Sequence, residues 1–178
     1  SYGESIKKGI ELAKKEMKLD NVQLVYEDTK CSGKDAVTGI NKLISIDGVK
    51  AVIGEVCSSA TLPAAPIANQ YEVPIISPAS SSPKIKDAGD YVFLVIPSDD
   101  FQGVFAATVA NEKGFKKLGI LYTNDEYGVG LKTVLEQSFK NYGEVAVVEA
   151  FEKGATDLRS QLTKMKNANV DAIFLISS

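Results

Sequence analysis

Histidine is absent from this 178-residue chain, and cysteine occurs only twice, at Cys31 and Cys57. Without an imidazole there is no Ser-His-Asp or Cys-His nucleophile system and no histidine metal ligand. Two cysteines alone do not make a structural zinc site. No apolar run approaches the length that crosses a bilayer. No signal peptide is read at the start, as is also expected of a mature secreted chain. The glycine patterns of phosphate sites are missing: neither G-x-G-x-x-G nor G-x-x-x-x-G-K-[ST] follows a strand, and Gly128-Val129-Gly130 is a lone G-x-G. Its bland explanation is relief of crowding where a helix starts. There is no G-x-S-x-G elbow, and no D-x-D spacing with glycine that would suit calcium. A net charge of −3, with lysine and glutamate interleaved, argues against a nucleic-acid surface. These absences together predict no cofactor, no metal and no catalysis. With 44% hydrophobic and 24% charged residues, the composition is ordinary for a globular protein. The length accommodates one domain or two small lobes.

What remains is a regular alternation. Helical spacing of Ile6, Ile10, Ala13 and Met17 predicts a helix over Ser1–Lys18. A strand over Val22–Asp28, a helix over Asp35–Ile46 and a strand over Val49–Gly54 follow. Ser59–Tyr71 reads as a helix despite Pro63 and Pro66; Pro63 is tolerated in a first turn, whereas Pro66 requires a late start or a kink. Pro74–Ser77 is a short buried strand, Pro78–Asp87 a Ser/Pro loop with a helical turn, and Tyr91–Ile96 a strand. Ser98 caps a helix over Asp100–Glu112 that carries Phe101, Val104, Phe105 and Val109. Strands over Lys117–Thr123, Glu144–Phe151 and Asp171–Ile176 alternate with helices over Tyr127–Tyr142 and Leu158–Asn167. Asn124-Asp125 opens the first of these helices and Thr156-Asp157 the second. Loops of two to six residues between such elements predict an α/β fold with parallel sheets flanked by helices. The chain starts on a helix and ends on a strand, and the strand expected first at the centre of a doubly wound sheet is missing, so an incomplete fold is expected.

Two loops stand out. The strand ending near Ile53 opens into V-C-S-S-A-T, and the strand ending near Ile76 opens into S-P-A-S-S-S. Neighbouring parallel strands end at one edge, so both loops would face a single crevice. Small side chains there leave amides and hydroxyls bare, which suits a ligand with an anionic end. Ser58, Ser59, Ser80, Ser81 and Ser82 have no histidine as base, and a Ser–Lys pair would need Lys84 held nearby. Acidic pairs stand at Glu27-Asp28, Asp99-Asp100 and Asp125-Glu126. The first and third are read as solvated loop carboxylates, and the middle pair as a helix cap. Tyr127 is read as either an aromatic wall for a ligand or a surface tyrosine at a helix start. Cys31 and Cys57 each follow a strand at the same sheet edge, which leaves a disulfide, two unrelated buried thiols or a reactive thiol open. A bridge would close a loop of about 27 residues, worth roughly 3–4 kcal/mol, and would place the protein outside the cytosol.

S-Y-G-E-S-I-K-K-G-I-E-L-A, E-D-T-K-C, V-I-G-E-V-C-S-S-A-T, V-P-I-I-S-P-A-S-S-S and Y-T-N-D-E-Y-G-V-G-L occur in that order. The chain thereby resembles the leucine/isoleucine/valine-binding proteins of ABC uptake systems, type I periplasmic binding proteins of the receptor ligand-binding-region class. The resemblance implies two α/β lobes that close on a ligand like a clamp. Most of the first lobe would lie in 1–96 and the beginning of the second in 97–178, with a crossover near Ile96–Asp99. It implies that Ser58 and Ser59 hold an amino acid's α-carboxylate. Ala79 and Ser81, with Ser80 between them, would grip the carboxylate and ammonium groups, and Tyr127 would supply the aromatic of the second lobe. It also implies a disulfide between Cys31 and Cys57. The implied partners are a small-molecule amino acid and the membrane permease of the transporter. The implied location is periplasmic or extracellular, with a lipoprotein anchor in the parent as one option. The alternative is a sensor ectodomain of the same fold that reads an amide, urea or aromatic acid.

The family's first strand, with its G-P-L-T-G-like loop, has no counterpart before Ser1, and its second lobe runs well beyond Ser178. The chain is therefore expected to be a fragment that binds weakly and dimerises through exposed sheet edges.

Overall fold

Small side chains decide how the first helices pack. In the computed structural model, which describes residues 2–177, helix α1 (Tyr2–Glu16) precedes α2 (Gly33–Ser45) and α3 (Ser58–Tyr71). Ala60, Ala64 and Ala68 recur every four residues along α3 and bury against Ala36 and Ile40 of α2. Gly33 faces α3 so closely that a Cβ would stand 3.0 Å from Pro63 Cγ. Strands β1 (Val52–Ile53), β2 (Ile75–Ser77) and β3 (Val92–Leu94) form a parallel sheet in the order β1-β2-β3. Val52 pairs with Ile75, and Ile76 with Phe93. Ile75 closes the core beneath α3. Asn69, near the end of α3, donates to Ala88 O at 2.8 Å and accepts from Tyr91 N at 3.2 Å, which ties the approach to β3 onto the helix.

The second half is built around a longer strand. β4 (Lys117–Thr123) lies between β5 (Glu144–Phe151) and β6 (Ala172–Ile176), and all three are parallel. Residues of one β4 face, Leu118 and Ile120, join Ala107 and Ala110 of α4 (Asp99–Glu112) and Leu131, Leu135 and Phe139 of α5 (Glu126–Phe139) in a buried cluster. On the opposite face, a Cβ at Gly119 would run into Met165 of α6 (Arg159–Asn167). Ser98 caps α4 by accepting from Asp100 N, and Asp125 caps α5 by accepting from Gly128 N at 2.7 Å. The crowding expected at Gly128 is present, since a Cβ there would overlap the Thr123 carbonyl.

The chain divides into two compact units. One comprises residues up to Ser80 with Ile85–Ile96; the other comprises Ser81–Lys84 with the residues from Pro97 onward. A 3-10 turn over Pro83–Asp87 carries the chain from the second back to the first.

Several predicted elements differ from what forms, and Ser1, the first residue of the predicted opening helix, lies outside the described residues. Val22–Asp28 forms no strand: among the described residues the segment has no ladder partner, and β1 pairs with β2 alone. Alternating apolar residues make a strand only where a neighbour takes up the backbone groups. The segment is instead held through side chains, with Tyr26 Oη donating to Glu11 at 3.3 Å and Glu27 paired to Lys42. Pro63 and Pro66 both lie inside a continuous α3 that starts at Ser58, so Pro63 sits in the second turn rather than the first. On α4 the large apolar residues Phe101, Val104 and Phe105 are exposed. Burial falls instead on Gly103, Ala107 and Ala110, because small residues allow α4 to approach α5. At α6 the cap is Leu158, and Asp157 accepts from Arg159 N at 3.1 Å.

Candidate functional site

Because β1 and β2 run parallel, both deliver their following loops to the same end of the first sheet. A knot of hydroxyls ties these loops together. Ser77 Oγ, at the end of β2, donates to the Glu55 carbonyl at 2.6 Å and accepts from Ser80 N at 2.9 Å. Ser80 Oγ lies 3.1 Å from the same carbonyl and 2.7 Å from Thr61 Oγ1 on α3. All three hydroxyls are buried. Buried hydroxyls are costly unless bonded, so this mutual satisfaction fixes the spacing of the two loops. Ser80 thus turns its hydroxyl inward, while Ala79 is half-buried beside it.

Ser58 and Ser59 occupy the first turn of α3, behind Cys57 as a cap that makes no side-chain bond. A helix begins with amides that lack intrahelical acceptors and with a partial positive charge, and both favour an anion. Ser58 is buried, and Ser59 Oγ donates to the Cys31 carbonyl at 3.1 Å. Cys31 and Cys57 form a disulfide with a Cα–Cα distance of 5.4 Å. Of the three readings left open for the cysteines, the bridge is the one that forms. It anchors the turn before α2 to the start of α3. Nearby, Thr29 Oγ1 donates to Glu55 Oε2 at 2.5 Å, and burial raises the Glu55 carboxyl above its ordinary value.

Ser81 and Tyr127 belong to the second unit, whereas Ser58, Ser59, Ala79 and Ser80 belong to the first. Ser81 Oγ donates to Asp99 Oδ2 at 2.9 Å, and Asp99 N donates back to the Ser81 carbonyl at 2.8 Å. Asp99 is only 2% exposed at the first position of α4. Burial pushes its carboxyl up to about 6; the Ser81 bond opposes that rise and the neighbouring Asp100 adds to it. The same segment is held further on, where Lys84 pairs with Glu126 at 2.8 Å and Gly130 makes room for Ser82 and Pro83. Tyr127 is half-buried in the first turn of α5, packed against the cluster formed by Leu131 and its neighbours.

Ser98 is the cap of α4, as the sequence predicts; of the acidic pair also read as capping, Asp99 is instead a buried partner of Ser81. Ser77 and Thr61, which hold the loops, were also missed; a hydroxyl at the end of a strand facing a helix start was the available signal. Among the described residues no group of three or more His, Cys, Asp or Glu side chains is placed to hold a metal ion.

A family model described as periplasmic binding protein matches residues 1–178. The leucine-, isoleucine-, valine-, threonine- and alanine-binding protein of Pseudomonas aeruginosa is 34% identical over 154 residues, covering 85% of this chain and 41% of that protein. Among solved structures, a leucine binding protein from Thermotoga maritima superposes with a TM-score of 0.88 at 30% identity, covering 98% of this chain and 51% of that one. The branched-chain amino acid transporter substrate binding protein from Streptococcus pneumoniae, in complex with isoleucine, gives 0.84 at 32% identity, covering 98% and 52%. The chain spans about half the length of these proteins or less, and it is a partial representative of their type I fold. By the extent of the family match and the level of identity, the chain belongs to the periplasmic binding protein family.

Proposed function

We propose that the protein is the extracytoplasmic solute-binding component of an ABC importer for branched-chain or related aliphatic amino acids, and that it binds them without chemical change. The observation that carries this reading is the pair of small-residue loops delivered to one sheet edge by β1 and β2 and tied together through the Glu55 carbonyl. The relatives named for leucine, isoleucine and valine support it. Ser58 and Ser59 take the α-carboxylate through hydroxyl and helix-start amides. The Ala79 carbonyl and the Ser81 hydroxyl grip the carboxylate and ammonium groups, with Ser80 holding their loop from beneath, and Tyr127 supplies an aromatic wall for the side chain. Residues 1–96 act as most of one lobe and 97–178 as the start of the other. The partner is the transporter's membrane permease, and the location is periplasmic or extracellular.

Calorimetric titration of the full-length protein against aliphatic amino acids and benzoate-type aromatic acids tests this. Saturable heat with at least one aliphatic amino acid is expected. No heat with any of them would sink the transport reading, and heat with an aromatic acid alone would transfer the assignment to the sensor-type alternative.

A further inference from the structure

We propose that Thr29 and Glu55 are positioning residues: their hydrogen bond holds the loop entering α3 in place beside the Cys31–Cys57 bridge, so that amino-acid affinity survives opening of the disulfide. The inference rests on the amino-acid reading above and adds to it two residues that act through the first turn of α3.

The loop entering α3 is fixed on two sides. On one, the Glu55 carbonyl accepts from Ser77 Oγ at 2.6 Å and from Ser80 Oγ at 3.1 Å, which joins it to the loop after β2. On the other it faces the segment that ends at Cys31, and among the described residues no strand ladder joins the two. Side chains make the connection instead. Thr29 Oγ1 donates to Glu55 Oε2 at 2.5 Å, Cys57 is bridged to Cys31, and Ser59 Oγ donates to the Cys31 carbonyl at 3.1 Å. Thr29 and Cys31 are two residues apart, and so are Glu55 and Cys57. Hydrogen bond and disulfide are therefore successive rungs between the same two segments. The covalent rung opens under reduction; the other does not. Burial raises the Glu55 carboxyl, the Thr29 bond opposes that rise, and Asp28 adds to it. Thr29 thus favours the ionised form, and a hydroxyl bonded to a carboxylate is of the stronger, charge-assisted kind. Ser58 follows Glu55 by three residues, so a shift of Glu55 is carried to the turn assigned to the α-carboxylate. Binding groups keep their geometry only while the residues behind them are held.

The test is calorimetry of the full-length protein with leucine, before and after reduction of the bridge with a phosphine, at a temperature where circular dichroism shows the fold intact. Wild type, Thr29→Val, Glu55→Ala and Thr29→Ser are compared. Wild type is expected to keep leucine binding on reduction. In Thr29→Val and Glu55→Ala the same reduction should weaken leucine about tenfold more than in wild type, the worth of one hydrogen bond to a charged group. Thr29→Ser, which keeps the hydroxyl, should follow wild type. A wild type that loses leucine on reduction, by unfolding or otherwise, overturns the proposal. So does a loss on reduction that is equal in wild type and Thr29→Val, even where the melting temperatures differ, because the pair is then merely structural. A Thr29→Ser that fails as Thr29→Val does also overturns it. If reduced Thr29→Val does not fold, Glu55→Gln replaces the charged acceptor by a neutral one and should lose more than wild type; an equal loss refutes the positioning role. A wild type with its bridge intact that binds no aliphatic amino acid refutes the underlying reading, an outcome distinct from all of these.

Discussion

Replacing Asp99 by asparagine should change the pH dependence of stability in a direction that most acidic residues would not. The carboxyl is raised from 3.8 to about 6 in the folded protein, chiefly by burial. A group whose folded value lies above its unfolded one stabilises the fold while protonated. Its contribution is complete below the unfolded value and is lost as pH rises from about 3.8 through about 6. At about 1.4 kcal/mol per tenfold difference in proton affinity, the full swing is about 3 kcal/mol. The asparagine side chain is isosteric, could still accept from Ser81, and does not titrate. Asp157 and Asp171, both lowered by the hydrogen bonds they accept, contribute in the opposite sense, so only the difference between variant and wild type isolates Asp99. Urea unfolding at a series of pH values between about 3 and about 7.5 should show the variant gaining about 3 kcal/mol on the wild type towards neutral pH. A difference that stays flat with pH, or that swings towards the wild type, would refute a buried, burial-raised Asp99.

Two further outcomes follow from the first unit. Reducing the Cys31–Cys57 bridge, or replacing both cysteines by serine, should cost about 3–4 kcal/mol from the closed loop of about 27 residues; thermal melts with and without reductant measure it, and two thiols labelled in unreduced, denatured protein would refute the bridge. Asn69→Ala leaves the Ala88 carbonyl and the Tyr91 amide without their side-chain partner, so a loss of about 1–3 kcal/mol is expected; a melt unchanged from wild type would mean that water replaces the amide at no cost.

The parts of the fold that were legible in the sequence are those in which local pattern and burial coincide. β4 is a continuous apolar run because it lies between two strands with helices on both faces. Asp125 and Ser98 are caps whose partners lie within three residues. Val22–Asp28 shows the limit of such reasoning: alternation records which side chains are apolar, while a strand also needs a neighbour, and among the described residues none pairs with it. α4 shows a second limit, since Phe101 and Phe105 look like the buried face but the helix turns Gly103 and Ala107 inward, where bulk would hold α5 away.

The candidate site divides along the same line. Its location follows from composition, because loops of serine and alanine after two adjacent parallel strands are visible in the letters alone. The division of labour among the serines does not, because Ser80 and Ser81 are the same residue at adjacent positions. Ser80 bonds into the buried knot with Thr61 and the Glu55 carbonyl, and Ser81 onto Asp99, 18 residues further along the chain. Chemistry at the loop is therefore set by partners that no local window contains.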